Sequence, residues 1–282
     1  MNTTLTIRAL LHEAESKLHI SSSARLDAEV LLCTVLGFDR SKLYSSPENM
    51  IPAKKVNLYR SLVQDRQQGK PVAYLTGTKE FWSLEFHVNE HTLIPRPETE
   101  CLVETALKYI PENSELNIAD LGTGSGTVAI AIANGRPRCK ITAIDNCELA
   151  LAVAAANGSR LKINNVSFVI SNWYAELQDT FDIIVSNPPY IRNNDEHLQG
   201  DGIAHEPKYA LCSGEDGLDA IRNIISNADR YLNPDGWLII EHGYDQARTV
   251  RSMFEKFHFA QIRTSNDYSG LERVTCGQQR HE

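Results

Sequence analysis

The residues best suited to chemistry lie in the stretch NPPY, Asn187 to Tyr190. The segment before it, FDIIV at 181–185, is short, apolar and rich in β-branched residues, which predicts a buried strand. The side-chain oxygen of Asn187 could accept one N–H of a planar NH2 group and the carbonyl of Pro188 the other, which would free the nitrogen lone pair for attack on carbon. Pro188 and Pro189 would hold that carbonyl away from sheet bonds, and Tyr190 offers a flat face to an amide or a base. We predict Asn187, Pro188 and Tyr190 as catalytic, and all four residues as substrate-binding.

A glycine-rich turn, DLGTGSG at 120–126, follows a second predicted strand. Its three glycines allow a tight turn and a close approach of the backbone to a ligand. Asp145 ends the next predicted strand, where its carboxylate can accept hydrogen bonds from both hydroxyls of a ribose. The sequence therefore predicts a nucleoside-containing cofactor, bound by Asp120, Gly122, Thr123, Gly124, Ser125, Gly126, Asp145 and, at the reacting end, Asn187.

The spacing of these glycines distinguishes two cofactors. A dinucleotide site has the pattern G-x-G-x-x-G and directs a helix N-terminus at a pyrophosphate. Here the pattern is G-x-G-x-G, with Asp120 just before the turn. A carboxylate at that point would repel a pyrophosphate, but it suits the ammonium and sulfonium groups of S-adenosylmethionine. The pattern favours S-adenosylmethionine over NAD, and a turn needed only for packing is the remaining alternative.

Both motifs lie in a predicted series of alternating strands and helices. The predicted strands are 116–121, 140–145, 166–170, 181–185 and 237–241, and the predicted helices start at Pro97 or lie near 127–134, 148–160, 217–231 and 246–257. Such alternation predicts an α/β fold in which helices cover both faces of a parallel sheet. Ligands of these sheets bind beyond the carboxyl ends of the strands, and both motifs follow strands directly.

The first 75 residues instead predict short amphipathic helices. The predicted inward faces are Ile7, Leu11, Ala14 and Leu18; then Leu26, Val30, Cys33 and Leu36, with Gly37 as C-terminal cap; and Val56, Tyr59 and Val63 in a helix from about Pro52 to Gln68. Because such helices cannot bury their faces alone, we expect a small bundle. Its role as a structural cap or as a partner-recognition module is open. From 81 to 93 the hydrophobic period shortens toward two, which predicts a hairpin or an extended connector.

Composition and charge limit the class of protein. A hydrophobic content of 42% and a charged content of 23% are ordinary for a soluble globular protein. We expect no membrane partner, since no run of about 18 apolar residues occurs. The six cysteines are scattered without metal-ligand spacing, which indicates free thiols, a cytoplasmic protein and no metal. Residues 1–90 hold 11 Lys or Arg and 10 Asp or Glu, and the rest hold 17 and 26, so a net charge of −9 after residue 90 disfavours nucleic acid as a substrate.

The chain resembles the protein-(glutamine-N5) methyltransferase family over most of its length. The matching stretches are PVAYLTG (71–77), FWSLEFHV (81–88), LIPRPETE (93–100), DLGTGSG (120–126), IVSNPPYI (184–191), EPKYAL (206–211), EDGLD (215–219) and EHG (241–243). NPPY alone is shared with DNA adenine and some RNA guanine methyltransferases, whereas its combination with the flanking motifs is more specific. The resemblance implies a Rossmann-like class I methyltransferase with a mostly parallel seven-stranded sheet, preceded by a small helical bundle and a β-hairpin connector.

The resemblance also implies an activity and a division of the chain. Members of the family use S-adenosylmethionine to methylate the side-chain amide of the glutamine in the GGQ loop of class I peptide-chain release factors. By resemblance, 122–126 line the donor, Asp145 holds its ribose, Trp173 lies near its adenine and 187–190 bind the glutamine amide. Residues 1–75 would form a helical substrate-recognition domain, 76–95 a hairpin linker, and 96–282 the S-adenosylmethionine-dependent methyltransferase domain.

Two positions near the implied donor depart from the family pattern. Asn172 stands where an acid is often found, and Cys147 where a serine is often found. Three alternative functions are open: an amino methyltransferase acting on adenine or guanine in nucleic acid, a glutamine methyltransferase acting on a ribosomal protein, and a binding module that keeps the fold without turnover.

Three other features carry minor predictions. Arg96 is predicted to line the entrance to the site or to form a salt bridge at a helix start, and Glu206 to brace the NPPY loop. Glu241 and His242, which follow an apolar strand, are predicted to form a structural hydrogen-bonded pair.

Overall fold

The computed structural model describes residues 4–19 and 21–280. The chain forms two compact units, each with its own apolar core. The helical unit consists of Met1–Thr78 together with Glu196–His205, and the sheet unit of Lys79–Asp195 together with Glu206–Glu282. Within the described residues, no helix has both the length and the apolar character needed to cross a membrane.

The helical unit contains five helices and one pair of very short strands. In chain order these are β1 (Leu5–Thr6), α1 (Ile7–Lys17), α2 (Ala24–Leu36), α3 (Arg40–Ser45), β2 (Met50–Ile51), α4 (Ala53–Gln67) and α5 (Val72–Thr76). The predicted inward faces of α1 and α4 are confirmed, since every residue named for them is buried. The predicted cap at Gly37 is confirmed as well.

The predicted inward face of α2 is wrong in part. Leu26 is 44% exposed, and Val30 and Cys33 are only half-buried. The fully buried positions are Ala28, Glu29, Leu31 and Leu32, with Asp27 nearly so. Two carboxylates can lie on the buried side because arginines distant in sequence pair with them, which a count of apolar residues does not reveal.

The sheet unit begins with a two-stranded sheet and continues as an alternating α/β structure. The two strands are β3 (Thr78–Phe81) and β4 (Leu84–His87). After the 3-10 turn Pro97–Thr99 come α6 (Glu100–Tyr109), β5 (Asn117–Leu121), α7 (Thr127–Gly135), β6 (Lys140–Asp145), α8 (Glu148–Arg160), β7 (Val166–Ile170), β8 (Phe181–Ser186), α9 (Asp219–Asn227), β9 (Leu232–Glu241), α10 (Ala247–Lys256), β10 (Ala260–Asn266) and β11 (Glu272–Gln278).

The seven strands β5 to β11 form one mostly parallel sheet, which confirms the predicted fold class. Their order is β10-β11-β9-β8-β5-β6-β7, and only β11 runs antiparallel to its neighbours. Apolar clusters cover both faces, one containing α6 and α7 and the other containing α9 and α10. Strands β5 to β9 therefore end at one edge of the sheet, where ligands of such folds bind.

Two features of the sheet differ from the predictions. Strands β10 and β11 were not among the predicted strands, because their polar residues, as in AQIRTSN, break the apolar run that marks a buried strand. Strand β9 begins at Leu232, before its predicted start at 237, although Asn-Pro-Asp-Gly at 233–236 has the composition of a turn. A register shift against β8 accommodates these four residues within the strand.

Candidate active site

Two adjoining cavities lie at the carboxyl ends of β5 to β8. The larger has a volume of about 620 Å³ and is lined by the glycine turn, Asp145, Asn172, Trp173 and, opposite them, His91 to Leu93 and Tyr209. The smaller, of about 410 Å³, is lined by Arg96, Thr99, Asp120, Thr123 and Ser125 among others. Asn187 lines both cavities. All but two of the sequence-predicted residues, namely Pro188 and Tyr190, border this space directly or belong to the glycine turn.

The glycine turn is fixed against β6 by its own backbone. The N–H groups of Gly122 and Thr123 both donate to the carbonyl of Ile144, each at 2.8 Å. Gly122 has a φ of +75°, which disfavours a side chain, and a Cβ there would lie 3.4 Å from the ring of Trp173. The turn can therefore present its backbone to a ligand only because glycine occupies this position.

Asp120 is a buried carboxylate without a cationic partner. One oxygen accepts from the Thr123 hydroxyl at 2.6 Å and from the backbone N–H of Ala129 at 3.1 Å. Burial raises the pKa of Asp120 to about 7, although these two hydrogen bonds oppose the shift. Within the described residues it forms no ion pair, so a cation entering the smaller cavity would meet an unneutralised carboxyl group.

Asp145 is oriented by the backbone around it. As the last residue of β6, it accepts from the N–H of Gly124 at 2.8 Å with one oxygen and from the N–H of Cys147 at 3.0 Å with the other. Burial raises its pKa despite these hydrogen bonds. Each carboxylate oxygen has a second acceptor position, so Asp145 can still receive the two hydroxyls of a ribose.

Trp173 forms one wall of the larger cavity. Its backbone has a φ of +53°, and the Ser171 hydroxyl donates to its carbonyl at 3.0 Å. The backbone N–H of Ser171 in turn donates to the carbonyl of Asp145 at 3.0 Å, which ties this segment to the end of β6. The indole therefore lies over Gly122, with Asn172 beside it on the cavity lining.

Asn187 has its amide nitrogen occupied and so directs its oxygen elsewhere. Nδ2 donates to the Thr99 hydroxyl oxygen at 3.0 Å. The preceding residue, Ser186, donates its hydroxyl to the carbonyl of Leu121 at 2.7 Å, which places Asn187 next to the glycine turn. The carbonyl of Pro188 accepts no hydrogen bond from the part of the chain that the structure describes. Neither predicted acceptor is engaged by the described chain, and of the two residues only Asn187 lines the cavities.

Tyr190 is held by hydrogen bonds at its hydroxyl group and at its backbone carbonyl. Its hydroxyl donates to Oε1 of Glu241 at 3.2 Å, and its backbone carbonyl accepts from Nε2 of Gln246 at 3.0 Å. Burial raises the pKa of Tyr190, so the phenol stays protonated and remains a donor. Sequence reasoning missed Thr99 and Gln246 as parts of this site. Glu241 could have been placed here, since it ends a parallel strand of the same sheet.

The predicted pair Glu241–His242 is wrong. Glu241 contacts Tyr190, whereas His242 donates through Nδ1 to the carbonyl of Gly243 at 2.9 Å and accepts through Nε2 from Thr275 at 2.9 Å. Successive residues of an extended strand point in opposite directions, which separates the two side chains.

Glu206 braces a different segment from the one predicted. It accepts from the backbone N–H of Ile94 at 3.0 Å and pairs with Arg96. The prediction that it holds the NPPY loop is therefore wrong, while both predicted roles of Arg96, at the cavity and in a salt bridge, are confirmed. Three residues further on, the Tyr209 hydroxyl donates to the carbonyl of His91 at 2.8 Å and closes one side of the larger cavity. Nothing in the sequence alone marks Tyr209 as a cavity residue.

The fold and this site define an α/β methyltransferase. A family model described as methyltransferase small domain matches residues 99–206, and one described as PrmC N-terminal domain matches residues 9–77. A methyltransferase from Pyrococcus furiosus has the same fold, with a TM-score of 0.53 at 19% identity over 79% of this chain and 98% of that one. A ribosomal protein L11 methylase from Lactobacillus delbrueckii subsp. bulgaricus gives a TM-score of 0.50 at 20% identity over 65% of this chain and 79% of that one.

Curated relatives narrow the class to one family. A protein of Salmonella typhimurium named release factor glutamine methyltransferase is 45% identical over 95% of this chain and 96% of its own length. A protein of the same name from Pseudomonas aeruginosa is 45% identical over 97% of this chain and 98% of its own length. The chain belongs to the release factor glutamine methyltransferase family, and the resemblance stated from its motifs is confirmed.

Proposed function

We propose that the protein transfers a methyl group from S-adenosylmethionine to the side-chain amide nitrogen of the glutamine in the GGQ motif of class I peptide-chain release factors. The observation that carries this proposal is the orientation of Asn187. Its nitrogen is tied to Thr99, so its oxygen is left to accept from a substrate amide at the junction of the two cavities. Relatives named release factor glutamine methyltransferase are 45% identical to this chain over nearly its whole length.

The residues around the cavities suit S-adenosylmethionine. Asp145 would hold the ribose, Trp173 with Asn172 would line the adenine, and 122–126 would follow the donor from one cavity into the other. Asp120, buried and without an ion pair within the described residues, would face the cationic end. When bound, the donor supplies an electrophilic methyl group on a positively charged sulfur.

The protein's own part in the reaction is to orient the acceptor nitrogen. The Asn187 oxygen and the Pro188 carbonyl would each accept one N–H of the glutamine amide, which draws the lone pair out of conjugation and holds it toward the methyl group. The ring of Tyr190 would lie against the amide plane. No strong base is required in this arrangement, because the proton can leave the nitrogen after the methyl group has been transferred.

The test is a transfer assay with labelled S-adenosylmethionine. The substrates are an unmodified class I release factor, the same factor with its GGQ glutamine changed to alanine, and duplex DNA. We expect label on the intact factor only, and a loss of about 100-fold or more in Asn187→Ala, since misplacing the reacting group costs that much. The matched control is Asn194→Ala, an exposed position close in sequence, which should keep the wild-type rate. Label on DNA would instead support the base-methylating alternative.

We propose further that the helical unit recognises the release factor. Its surface carries large apolar side chains that its own core leaves exposed, including Met50 at 58% and Leu58 at 52%. Exposed apolar residues of this kind can join a protein–protein contact. Met50→Asp and Leu58→Asp should raise the KM for the release factor while leaving the donor affinity unchanged, and an unchanged KM in both variants would contradict this role.

A further inference from the structure

We propose that Thr99 and Glu241 are positioning residues that hold the Asn187 amide and the Tyr190 ring in their reactive orientations. This inference deepens the proposed function and rests on it. Both side chains are buried, Thr99 to 97% and Glu241 fully, and only Thr99 borders a cavity. Their effect would be exerted through Asn187 and Tyr190.

The hydrogen bond to Thr99 sets the direction of the Asn187 side-chain amide. Thr99 has one hydroxyl hydrogen, and its oxygen accepts from Nδ2 of Asn187 at 3.0 Å. The hydroxyl also faces the carboxyl group of Glu241 and favours its ionised form. Because the Thr99 oxygen accepts from Nδ2, the NH2 end of the Asn187 amide faces Thr99, and its oxygen is left for the cavities that Asn187 lines.

The carboxyl group of Glu241 holds the Tyr190 hydroxyl with one of its two oxygens. Oε1 of Glu241 accepts from the Tyr190 hydroxyl at 3.2 Å, whereas Oε2 is buried and takes no hydrogen bond of standard length within the described residues. A buried oxygen without a hydrogen bond lowers the stability of the fold by the free energy of its desolvation, so it requires a structural or functional explanation. This oxygen is an acceptor left free next to Tyr190 and Thr99.

The backbone of Tyr190 is held in place by Gln246 and Gly217. Its carbonyl accepts from Gln246 at 3.0 Å, and Gln246 in turn accepts from the N–H of Gly243 at 2.9 Å. A Cβ at Gly217, which has a φ of +78°, would lie 2.3 Å from the same carbonyl oxygen, so only glycine fits there. With the backbone fixed on one side and the hydroxyl on the other, the ring cannot reorient without breaking the bond to Glu241.

The ionisation of Glu241 connects this arrangement to pH. The groups that face it are Tyr190, Thr99, Arg273 and, with opposing sign, Glu98. Burial raises the pKa of Glu241 to about 7 against the effects of Thr99, Arg273 and Tyr190. Arg273 is shared with Asp267 and does not form an ion pair with Glu241. In the protonated form Glu241 would lose its charge, and the hydrogen bond that its Oε1 accepts from Tyr190 would weaken.

The experiment compares variants that change one hydrogen bond at a time. Thr99→Val removes the hydroxyl at constant size, and Thr99→Ser restores it. We expect Thr99→Val to lower kcat about tenfold to 100-fold, with the donor Kd and the KM for the release factor within about twofold, and Thr99→Ser to recover most of the rate. Glu241→Gln should lower kcat in the same way and remove an inflection near pH 7 from the wild-type kcat profile.

A second readout does not depend on activity. In protein labelled with ¹⁵N-asparagine, the side-chain NH2 of Asn187 should exchange slowly with water and shift with a midpoint near pH 7. Both features should disappear in Thr99→Val, and the titration should disappear in Glu241→Gln. Asn187→Ala identifies the resonance.

The outcomes separate this inference from the proposed function. If the wild type methylates the factor and both Thr99→Val and Glu241→Gln keep its kcat, the inference is wrong and the proposed function stands. If the wild type places no label on the factor, the proposed function fails and the exchange measurement decides the inference alone. Loss of protection in Thr99→Val then supports it, and unchanged protection overturns it.

Discussion

The two units of this protein differ in how they treat their most deeply buried carboxylates. In the helical unit, fully buried Glu29 accepts from Arg25, Arg40 and Tyr44, and nearly buried Asp27 pairs with Arg66. In the sheet unit, Asp120 and Glu241 are at least as deeply buried, yet neither forms an ion pair within the residues that the structure describes.

This difference appears in the acidity of the groups. Burial tends to raise the pKa of Glu29, but the hydrogen bonds from Tyr44, Arg40 and Arg25 outweigh it and leave the pKa lowered. Burial of Asp120 and Glu241 is not compensated, and the pKa of each rises to about 7. The helical unit has therefore completed its charge pairs within the fold.

The sheet unit leaves Asp120 and Glu241 without a cation, although it pairs the buried acids Glu206 and Asp267 with arginines. Uncompensated buried acids are a cost to folding, and they cluster where a ligand or a reaction makes use of them. Asp120 borders the smaller cavity, and Glu241 contacts a residue of the NPPY loop. The comparison thus locates function in the sheet unit by its charges alone, without reference to the motifs.

The largest expected effect is a loss of stability when the buried ion pair between Arg66 and Asp27 is broken. Arg66→Met leaves Asp27 buried without its cation, and we expect the free energy of unfolding of the helical unit to fall by about 3–5 kcal/mol. Urea unfolding followed by far-ultraviolet circular dichroism measures it. The control is Arg8→Met, which breaks an ion pair exposed on both sides and should cost less than about 1 kcal/mol. Equal losses in the two variants would remove the distinction drawn for the helical unit.

Asp120 and Glu241, which have no cationic partner, should lower the stability as the pH rises, whereas Glu29 should lower it as the pH falls. A raised pKa means that the stability contributed by Asp120 and Glu241 is complete below about pH 4 and is lost as the pH rises through about 7. The loss is at most roughly 4 kcal/mol for Asp120 and roughly 3 kcal/mol for Glu241. The lowered pKa of Glu29 contributes stability that is lost as the pH falls below its usual range.

Tryptophan fluorescence can follow the sheet unit separately, because Trp82, Trp173 and Trp237 all lie in it. Urea unfolding of the donor-free protein from pH 5 to pH 8 should show the decline in the wild type. The double variant Asp120→Asn, Glu241→Gln should be flatter over that range. A decline of equal slope in both proteins would mean that other groups cause it.

A third, smaller effect concerns donor affinity. If Asp120 faces the cationic end of S-adenosylmethionine, only its ionised form favours binding. The donor Kd should then rise as the pH falls below about 7 and level off roughly tenfold higher, near the value of Asp120→Asn, while it stays constant above pH 7. Asp120→Asn should remove this slope and weaken binding at pH 8 by roughly tenfold, about 1.4 kcal/mol. Isothermal titration calorimetry from pH 5.5 to pH 8.5 measures both, and a slope that persists in the variant assigns the titration to another group.

The smallest expected effect is at Asn172, on the lining of the larger cavity. An aspartate there would accept more strongly from the adenine amino group, so Asn172→Asp should tighten donor binding by about threefold, less than 1 kcal/mol. Asn164→Asp, an exposed position outside both active-site cavities, carries the same charge change and should leave the Kd unchanged. A similar gain in both variants would point to net charge instead of a contact with adenine.

What sequence reasoning recovered of the site was local in the chain. The glycine turn and NPPY each follow a strand, Asp145 is the last residue of one, and strands β6 and β7 and helix α8 have the predicted bounds. The residues it missed make contacts that are remote in sequence. Thr99 lies 88 residues from Asn187, and Glu241 lies 51 residues from Tyr190.

The same division applies to the fold. The alternation of apolar segments determined a parallel α/β sheet, because each strand is buried on both faces and each helix on one. The inward face of α2 was not determined in this way, since Asp27 and Glu29 are buried by arginines at positions 66, 25 and 40. A hydrophobic pattern records which residues avoid water, and it does not record which charges will meet.

Under the proposed function, the sequence by itself supplies the reacting groups: an amide and a rigid carbonyl for an NH2 group, an acid for a ribose, and an acid for a cation. Those properties belong to residue types at fixed spacing after strands. The tertiary structure decided which way the Asn187 amide points, which acids stay without a cation, and how Tyr190 is held. These depend on β9 lying beside β8 and on the turn at 97–99 reaching the NPPY loop. Hydrogen bonds and desolvation act between groups that only folding brings together.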